Sequence, residues 1–288
     1  MTKVMIMNHT KELLSEKPDE FILYLEEEKD KSEPFLNRNH FELAKKMLPY
    51  IGEKDPVIRD DVIYVCLAHV TDYLTSKEIQ TLAKIYIGED YLFYDIKNEY
   101  PNSVLRRTFT LLQLAVVVYF HHEKDVLNKT IISDIVDALA KYLKEEKILQ
   151  GYDDNVGWMH ALAHSADVVG QLLRCKEVDQ EMQEQLLDML VYKVQVNHYT
   201  YVDLEDERIV GAIKKGLDCG NLSISMVEEF VKKLAQFEKQ ENVKYSFTIH
   251  SNVKSVLRSL YFGLYDDDKY DDLRDVVVDA LKMVKKRK

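Results

Sequence analysis

The sequence contains few of the residues that interrupt helices or form disulfides. Its 288 residues include only 9 glycines and 5 prolines, which argues against a turn-rich β fold and favours helices. Its 3 cysteines, Cys66, Cys175 and Cys219, are widely spaced and form no CxxC pair. We therefore predict no disulfide framework and expect a reducing compartment, the cytoplasm.

Positive charge is also scarce. The chain carries 39 basic and 50 acidic side chains, a net charge of −11. Sequence-independent nucleic-acid binding depends on neutralising phosphates, so no nucleic-acid partner is expected. The apolar start of the chain is too short for a signal peptide, and the most apolar window, 111–120, is shorter than a membrane span. We therefore expect no membrane partner.

Known catalytic motifs are missing as well. The sequence has no phosphate-binding glycine loop, no nucleophile elbow and no zinc-protease HExxH. No cofactor is predicted from the sequence.

Helical periodicity runs through almost the whole chain, and charge-poor helices alternate with charge-rich ones. The predicted helices cover 10–28, 40–51, 57–74, 76–87 (with Ser76 as its cap), 103–122, 129–147, about 157–173, 179–194, 205–217, 223–240, 251–265 and 269–287. Such alternation is what two stacked layers of helices require, because one layer is covered on both sides and the other keeps a solvated face.

A second regularity gives the spacing of this alternation. The polar residues near the starts of the charge-poor helices are separated by 46, 54, 46 and 46 residues (Asp60, Arg106, His160, Asp206 and Asn252). HEAT and armadillo repeats have periods of roughly 40–47 residues. We therefore predict one all-α domain over 1–288: N-terminal cap helices over about 1–52, then about five helix pairs over 53–288 in a right-handed HEAT- or armadillo-like α-solenoid. A closed α/α toroid is the alternative.

The central segment has an unusual composition. Between 155 and 173 there is no Lys or Glu, and Asp167 is the only formal charge. If this segment is helical, Trp158 lies on one face, and His160, His164 and Asp167 lie together on the opposite face. Because a solvated face would carry Lys and Glu, we expect the histidine face to be sheltered from bulk water.

Three interpretations of this face remain open. The two imidazoles and the carboxylate could satisfy one another in a buried hydrogen-bond network. They could line a pocket for a polar ligand, with one His acting as a general base held by Asp167. They are also weak candidates for ligands of a divalent metal, since no further ligand of established motif spacing accompanies them.

Side-by-side packing of the charge-poor helices would place their first turns along one surface. That surface would gather guanidinium, carboxylate, imidazole and phenol groups around a concave pocket suited to a polar ligand or a peptide. Asp–Arg ladders that tie successive repeats together are an equally available explanation. The candidate ligand-binding residues are His160, His164, Asp167, Trp158, Asp60, Arg106, Arg107, Asp206, Glu207, Arg208, Asn252, Arg258 and Tyr152.

Several short segments together resemble one known family. They are Gly157-Trp158-x-His160-Ala161-x-Ala163-His164-x-Ala166-Asp167, Arg59-Asp60, Arg106-Arg107, Glu205-Asp206-Glu207-Arg208 and Leu257-Arg258-Ser259-Leu260-Tyr261. They resemble the uncharacterised bacterial family called domain of unknown function 2785, over about residues 20–285. The resemblance implies a bacterial, helical protein and assigns no reaction and no catalytic residue.

These observations leave three functional hypotheses. The leading one is a binding scaffold with an unidentified polar ligand or protein segment as its partner. The second is an enzyme, a hydrolase that uses His160, His164 and Asp167 as general base or metal ligands. The third is a structural interaction protein without a small-molecule pocket.

Overall fold

The computed structural model describes residues 18–98 and 102–286, and this part of the chain is almost entirely helical. Its α-helices are α1 (Pro18–Lys29), α2 (His40–Met47), α3 (Val65–Asp72), α4 (Ser76–Tyr86), α5 (Ser103–Lys124), α6 (Lys129–Glu145), α7 (Ala161–Leu172), α8 (Gln180–Val194), α9 (Glu205–Asp218), α10 (Ile224–Ala235), α11 (Val243–Gly263) and α12 (Asp271–Lys286). A π-helix, Val57–Tyr64, leads directly into α3, and short 3₁₀ turns occupy Leu48–Tyr50 and Asp268–Tyr270. The prediction of an all-α protein is confirmed.

Most helices begin where the sequence predicts, because local capping groups fix their first turns. Asn128, Asp179 and Ser223 accept hydrogen bonds from the backbone N–H groups three residues on, at the starts of α6, α8 and α10. The predicted Ser76 cap is wrong. Thr75 caps α4 in a capping box with Glu78.

Two predicted boundaries also differ. The predicted 223–240 helix ends earlier, at Ala235, and the predicted 251–265 helix begins earlier, at Val243. The first part of the predicted 10–28 helix lies outside the described residues.

Alternate helices pack against one another in two series. In the first series, α3, α5, α7, α9 and α11 each contact the next; in the second, α4, α6, α8, α10 and α12 do the same. The apolar side chains between the two series form one continuous core that runs from Phe21 to Val284. Except for α9, in which seven of the 14 residues are charged, the first series contains the charge-poor helices and the second contains the charge-rich ones.

Helix α5 is largely enclosed by its neighbours. By length and composition it is the one helix in the described part of the chain that could cross a membrane, yet 67% of its apolar window is buried in the structure. The core helix of a folded domain meets the same criterion. The predicted helix over 103–122 is confirmed and ends two residues later, at Lys124.

The central segment departs most from its predicted helix. Tyr152–Asp153 and Gly157–Trp158 form a two-stranded antiparallel hairpin, and α7 begins only at Ala161. The carbonyl oxygen of Gly151 accepts hydrogen bonds from the backbone N–H groups of Met159 and His160, at 2.8 and 3.2 Å. These bonds hold the chain in the hairpin, so the prediction of helix from Gly157 onwards is wrong, and Trp158 and His160 lie outside α7.

Candidate functional site

Two adjoining clefts open along the first series of helices, each with a volume of about 450–460 Å³. Both are lined by Tyr64, Leu112, His164 and Arg208. Because they share these walls, we treat them as one groove. The hairpin cleft is additionally lined by Asp60, Phe109, Trp158, His160, Asp203 and Leu204, and the helical cleft by Ala115, Val116, Tyr119, Asp167, Gln171 and Lys215.

The π-helix forms one wall of the groove through a buried arginine. Arg59 is fully buried, and its guanidinium carbon lies 4.5 Å from the ring centre of Phe109. Its Nη2 donates to the carbonyl oxygen of Val156 at 2.8 Å, and its Nε donates to Asp60 Oδ1 at 2.7 Å. This arginine therefore joins the π-helix, α5 and the hairpin, and it holds the Asp60 carboxylate at the groove. Burial raises the pKa of Asp60, and the positive charge of Arg59 opposes that rise.

His164, on α7, is a buried residue of the groove wall and is held in a single tautomer. It is 5% exposed, and its ring packs edge to face on Phe109 with ring centres 5.6 Å apart. Its Nδ1 lies 3.1 Å from the carbonyl oxygen of Thr108. A carbonyl can only accept, so Nδ1 carries the proton and Nε2 is the unprotonated nitrogen. Burial, reinforced by the neighbouring His160, lowers the pKa of His164 to about 3.

His160 lies between the hairpin and α7, beside His164. Their ring centres are 5.7 Å apart, and the Trp158 ring packs against His160 at 4.3 Å. His160 is 7% exposed, and its buried Nε2 has no hydrogen-bond partner in the described structure. Burial and the positive charge of Arg208 lower the pKa of His160 to about 4. Both imidazoles are thus neutral near pH 7, and one buried ring nitrogen remains unsatisfied, which is uncommon in folded proteins.

Two residues of the hairpin cleft have a left-handed backbone conformation. His160 has φ 45° immediately before α7, and Leu204 has φ 65° immediately before α9. Such conformations cost a non-glycine residue on the order of 1 kcal/mol or more and tend to occur at functional sites. Leu204 is 61% exposed. A large apolar side chain is thus exposed at the rim of the groove.

Arg208 and Asp167 form an ion pair in the middle of the groove, with 2.5 Å between Nη1 and Oδ2. This pair joins α9 to α7. It also directs the Asp167 carboxylate to a guanidinium group, whereas the sequence suggested that it could share a metal with the imidazoles or hold one of them. No group of three metal-ligating side chains is found around His160 and His164 in the described ranges.

The structure brings together about half of the predicted site residues. Those that line the groove are Asp60, Trp158, His160, His164, Asp167 and Arg208, with Tyr152 packed against the Trp158 ring at 4.8 Å. The remaining predicted residues do not line the groove: Arg106, Arg107, Asp206, Glu207, Asn252 and Arg258.

Most of these remaining residues serve the packing of neighbouring elements. Arg106 stacks on the Tyr94 ring at 4.2 Å, and the Asp206 carboxylate accepts a hydrogen bond from the Ser259 hydroxyl. Asn252 bonds the backbone of Tyr199 and Tyr201. Glu207 and Arg258 are exposed.

Arg107 belongs to a buried ion pair away from the groove. Its Nε and Nη2 donate to the two oxygens of Glu146 at 2.7 and 3.0 Å, and both side chains are 1% exposed. Lys193 donates to the backbone oxygen of Glu146 at 2.5 Å, and burial lowers the pKa of Lys193 to about 8. Together these bonds tie α5 to the end of α6 and to α8. The expectation that Arg107 contributes to the pocket is therefore wrong.

Most of the groove residues lie in the part of the chain that matches a described family, whereas Asp60 and Tyr64 precede it. The sequence matches the family described as a protein of unknown function (DUF2785) over residues 92–262.

The chain belongs to this family. The match spans α5 to α11, so it includes the hairpin, both histidines and Arg208, whereas Arg59 and Asp60 precede it. No curated protein and no solved structure matches the sequence.

Sequence reasoning missed several groove residues of this DUF2785 protein. Tyr64 lies within the predicted 57–74 helix, where nothing distinguished it from a packing residue. Asp203 and Leu204 lie in the loop before the predicted 205–217 helix and were not considered. Lys215 lies seven residues after Arg208 on α9, so about two turns of helix place the two cations on one face. That spacing was a usable signal. The apolar wall formed by Leu112 was indistinguishable from core residues in the sequence.

A second polar cluster lies at the end of α5. The ligand atoms of His121, Cys175 and Glu177 lie within 4.8 Å of one another. However, His121 Nδ1 accepts a hydrogen bond from the Leu127 N–H at 3.1 Å, so its Nε2 carries the proton that faces Glu177 Oε2 at 3.2 Å. Burial also raises the pKa of the Cys175 thiol to about 12. The cluster is therefore built to join α5 to the loop before α8, and its protonation disfavours metal binding.

Proposed function

We propose that this protein is a binding protein and that the groove receives a polar organic ligand. The observation that carries the proposal is the pair of buried, neutral imidazoles in the groove, with the unsatisfied Nε2 of His160 beside the unprotonated Nε2 of His164. A groove with apolar walls and a few converging polar groups is the usual form of a small-ligand site. A ligand that hydrogen-bonds to the His160 Nε2 would satisfy a group that the described structure leaves without a partner.

The same electrostatics favour binding over catalysis. An effective general base has a pKa near the working pH, whereas burial lowers the pKa values of His160 and His164 to about 4 and about 3. Asp167 is paired with Arg208 and bonds neither ring in the described structure. The hydrolase hypothesis therefore has less support than the binding hypothesis.

We also propose that the two series of helices form a HEAT- or armadillo-like α-solenoid in a single domain. In support, the contacting helices run in order from α3 to α11 and from α4 to α12. A closed toroid would bring α11 and α12 against the first helices of the series. Small-angle scattering tests this choice, because an open array gives a longer maximum dimension than a ring of the same mass.

Trp158 provides the test of ligand binding. It is the only tryptophan in the chain, it is 44% exposed, and it contacts His160 within the groove. Purified protein is titrated with a library of small polar metabolites while the tryptophan emission is recorded. We expect at least one compound to change the emission saturably and to raise Tm.

Matched variants locate the binding. His164→Asn should weaken the response, whereas His69→Asn, a change to an exposed histidine outside the groove, should not. A library without a saturable response, or a response unaffected by His164→Asn, would contradict the proposal. Chemical turnover of a bound compound, detected by mass spectrometry, would favour the hydrolase instead.

We propose that the protein is bacterial, as the family resemblance implies, and that it works in the cytoplasm without nucleic-acid or membrane partners. In support, its net charge is −11 and its three cysteines form no motif. Cell fractionation tests this proposal, and recovery with the membrane or with nucleic acid would contradict it.

A further inference from the structure

The groove has an acidic end and a basic end, and we infer from this polarity that its ligand is a short peptide with free amino and carboxyl termini. The inference rests on the proposed function and names the class of ligand. The peptide amino terminus would lie at the hairpin cleft and its carboxylate at the helical cleft.

The hairpin cleft is the acidic end. Two carboxylates, Asp60 and Asp203, line it together with one guanidinium group, Arg208. Asp60 is compensated by Arg59 behind it, whereas Asp203 makes no ion pair within the described ranges. The exposed Trp158 ring stands at the same end. A carboxylate beside an aromatic face is suited to an ammonium group, which gains both a charge-assisted hydrogen bond and a cation–π contact.

The helical cleft is the basic end. Two cations, Arg208 and Lys215, line it together with one carboxylate, Asp167. Asp167 is already paired with Arg208, and Lys215 is exposed and forms no ion pair in the described part of the chain. A ligand carboxylate at this end would form an ion pair with Lys215.

The distance between the two ends sets the length of the ligand. Asp203 lies two residues before Glu205, the first residue of α9, and Lys215 lies ten residues beyond Glu205. At 1.5 Å per residue the helical part of this separation is about 15 Å along the helix axis. An extended chain spans about 3.3–3.6 Å per residue, so a peptide of about three to five residues fits and a single amino acid is too short.

The middle of the groove suits a peptide backbone and its side chains. The unprotonated Nε2 of His164 accepts a hydrogen bond from an amide N–H, and the Arg208 guanidinium and the Tyr64 hydroxyl can donate to carbonyl oxygens. Because His164 stays neutral, it does not repel the ammonium end. Leu112 and Ala115 provide the apolar wall against which peptide side chains would pack.

A tetrapeptide library tests the inference. A library degenerate at all positions is prepared with free termini, with an acetylated amino terminus, with an amidated carboxyl terminus, and with both ends blocked. Each is incubated with the full-length protein, and retained peptides are measured by mass spectrometry after gel filtration. We expect the free peptides to be retained, and blocking either end to weaken retention by about tenfold.

Variants assign each terminus to its end of the groove. Asp203→Asn should abolish the preference for a free amino terminus and leave the carboxyl preference intact, and Lys215→Gln should do the reverse. Lys214→Gln is the matched control, since that lysine is paired with Asp218 and lines neither cleft; both preferences should persist.

Equal retention of free and blocked peptides would overturn the inference. So would a loss of both preferences in Lys214→Gln. If no tetrapeptide is retained while small metabolites still change the Trp158 emission, the peptide inference fails and the proposed binding function stands.

Discussion

The buried imidazole of His164 should make the protein less stable as the pH falls. Its pKa is about 3 in the folded protein, compared with about 6.5 in an unfolded chain. A base whose pKa is lowered by folding binds protons more readily when unfolded, so protonation favours the unfolded state. The free energy of unfolding is therefore independent of this group above about pH 6.5 and decreases as the pH falls towards the folded value.

The size of the loss follows from the difference between the two pKa values. Each pH unit below 6.5 costs about 1.36 kcal/mol for one such group. At pH 5, 1.5 units below the unfolded value, His164 should have lowered the free energy of unfolding by about 2 kcal/mol relative to pH 7. His160 acts in the same direction, because its folded pKa of about 4 is also lowered.

Urea unfolding at pH 7, 6 and 5 measures this dependence. His164→Asn removes the titrating group while retaining a donor for the Thr108 carbonyl, so its stability should decrease with falling pH by about 2 kcal/mol less than that of the wild type. His69→Asn, at an exposed position, should retain the wild-type slope. If the His164→Asn and wild-type curves run parallel from pH 7 to pH 5, the imidazole is not buried in its neutral form and the reasoning is refuted.

Three further predictions concern stability. Glu146→Ala leaves the buried Arg107 charge without its partner and should lower the free energy of unfolding in urea by about 3–5 kcal/mol. The control Glu89→Ala, at a side chain that is 79% exposed, should lower it by less than about 0.5 kcal/mol. Equal losses in the two variants would contradict the buried ion pair. Gly157→Ala should destabilise the folded protein by about 1 kcal/mol or more, because Gly157 has φ 72° and an added Cβ would lie 3.1 Å from a proline side chain. The control Gly211→Ala has open space around it in α9 and should stabilise the protein by up to about 1 kcal/mol. A Gly157→Ala variant as stable as the wild type would exclude the hairpin geometry. Excess zinc should leave Tm unchanged because His121 Nε2 is protonated, and a stoichiometric ion with a raised Tm would show otherwise.

The helices were predictable because their signals are local. The apolar periodicity of α5 and the Asp179 cap of α8 each lie within the element that they define. The hairpin was not predictable in this way, since Gly157-Trp158 continues the apolar pattern of α7 without a proline. What stops the helix is the Gly151 carbonyl, which accepts two backbone N–H groups from beyond the turn.

The candidate site was predictable in part for a related reason. The absence of Lys and Glu around His164 correctly indicated a sheltered surface, and His160 shares that surface although it precedes the helix. Arg107 was also expected to line the pocket, but it pairs with Glu146, which lies 39 residues away. Sequence spacing alone does not reveal such a pairing. Asp203 was missed because its place in the groove depends on a loop, whose path is set by tertiary contacts.

The π-helical segment has a consequence for how the groove can change in evolution. Its wider winding holds eight residues, Val57–Tyr64, before the chain continues as α3. Loss of a single codon within it would allow ordinary α winding and would rotate the preceding residues around the helix axis. Arg59 would then leave the Phe109 ring, while α3 kept its place in the core. One small deletion would thus reshape the groove while the core stays intact, a sensitivity to chain length that point substitutions would not reproduce.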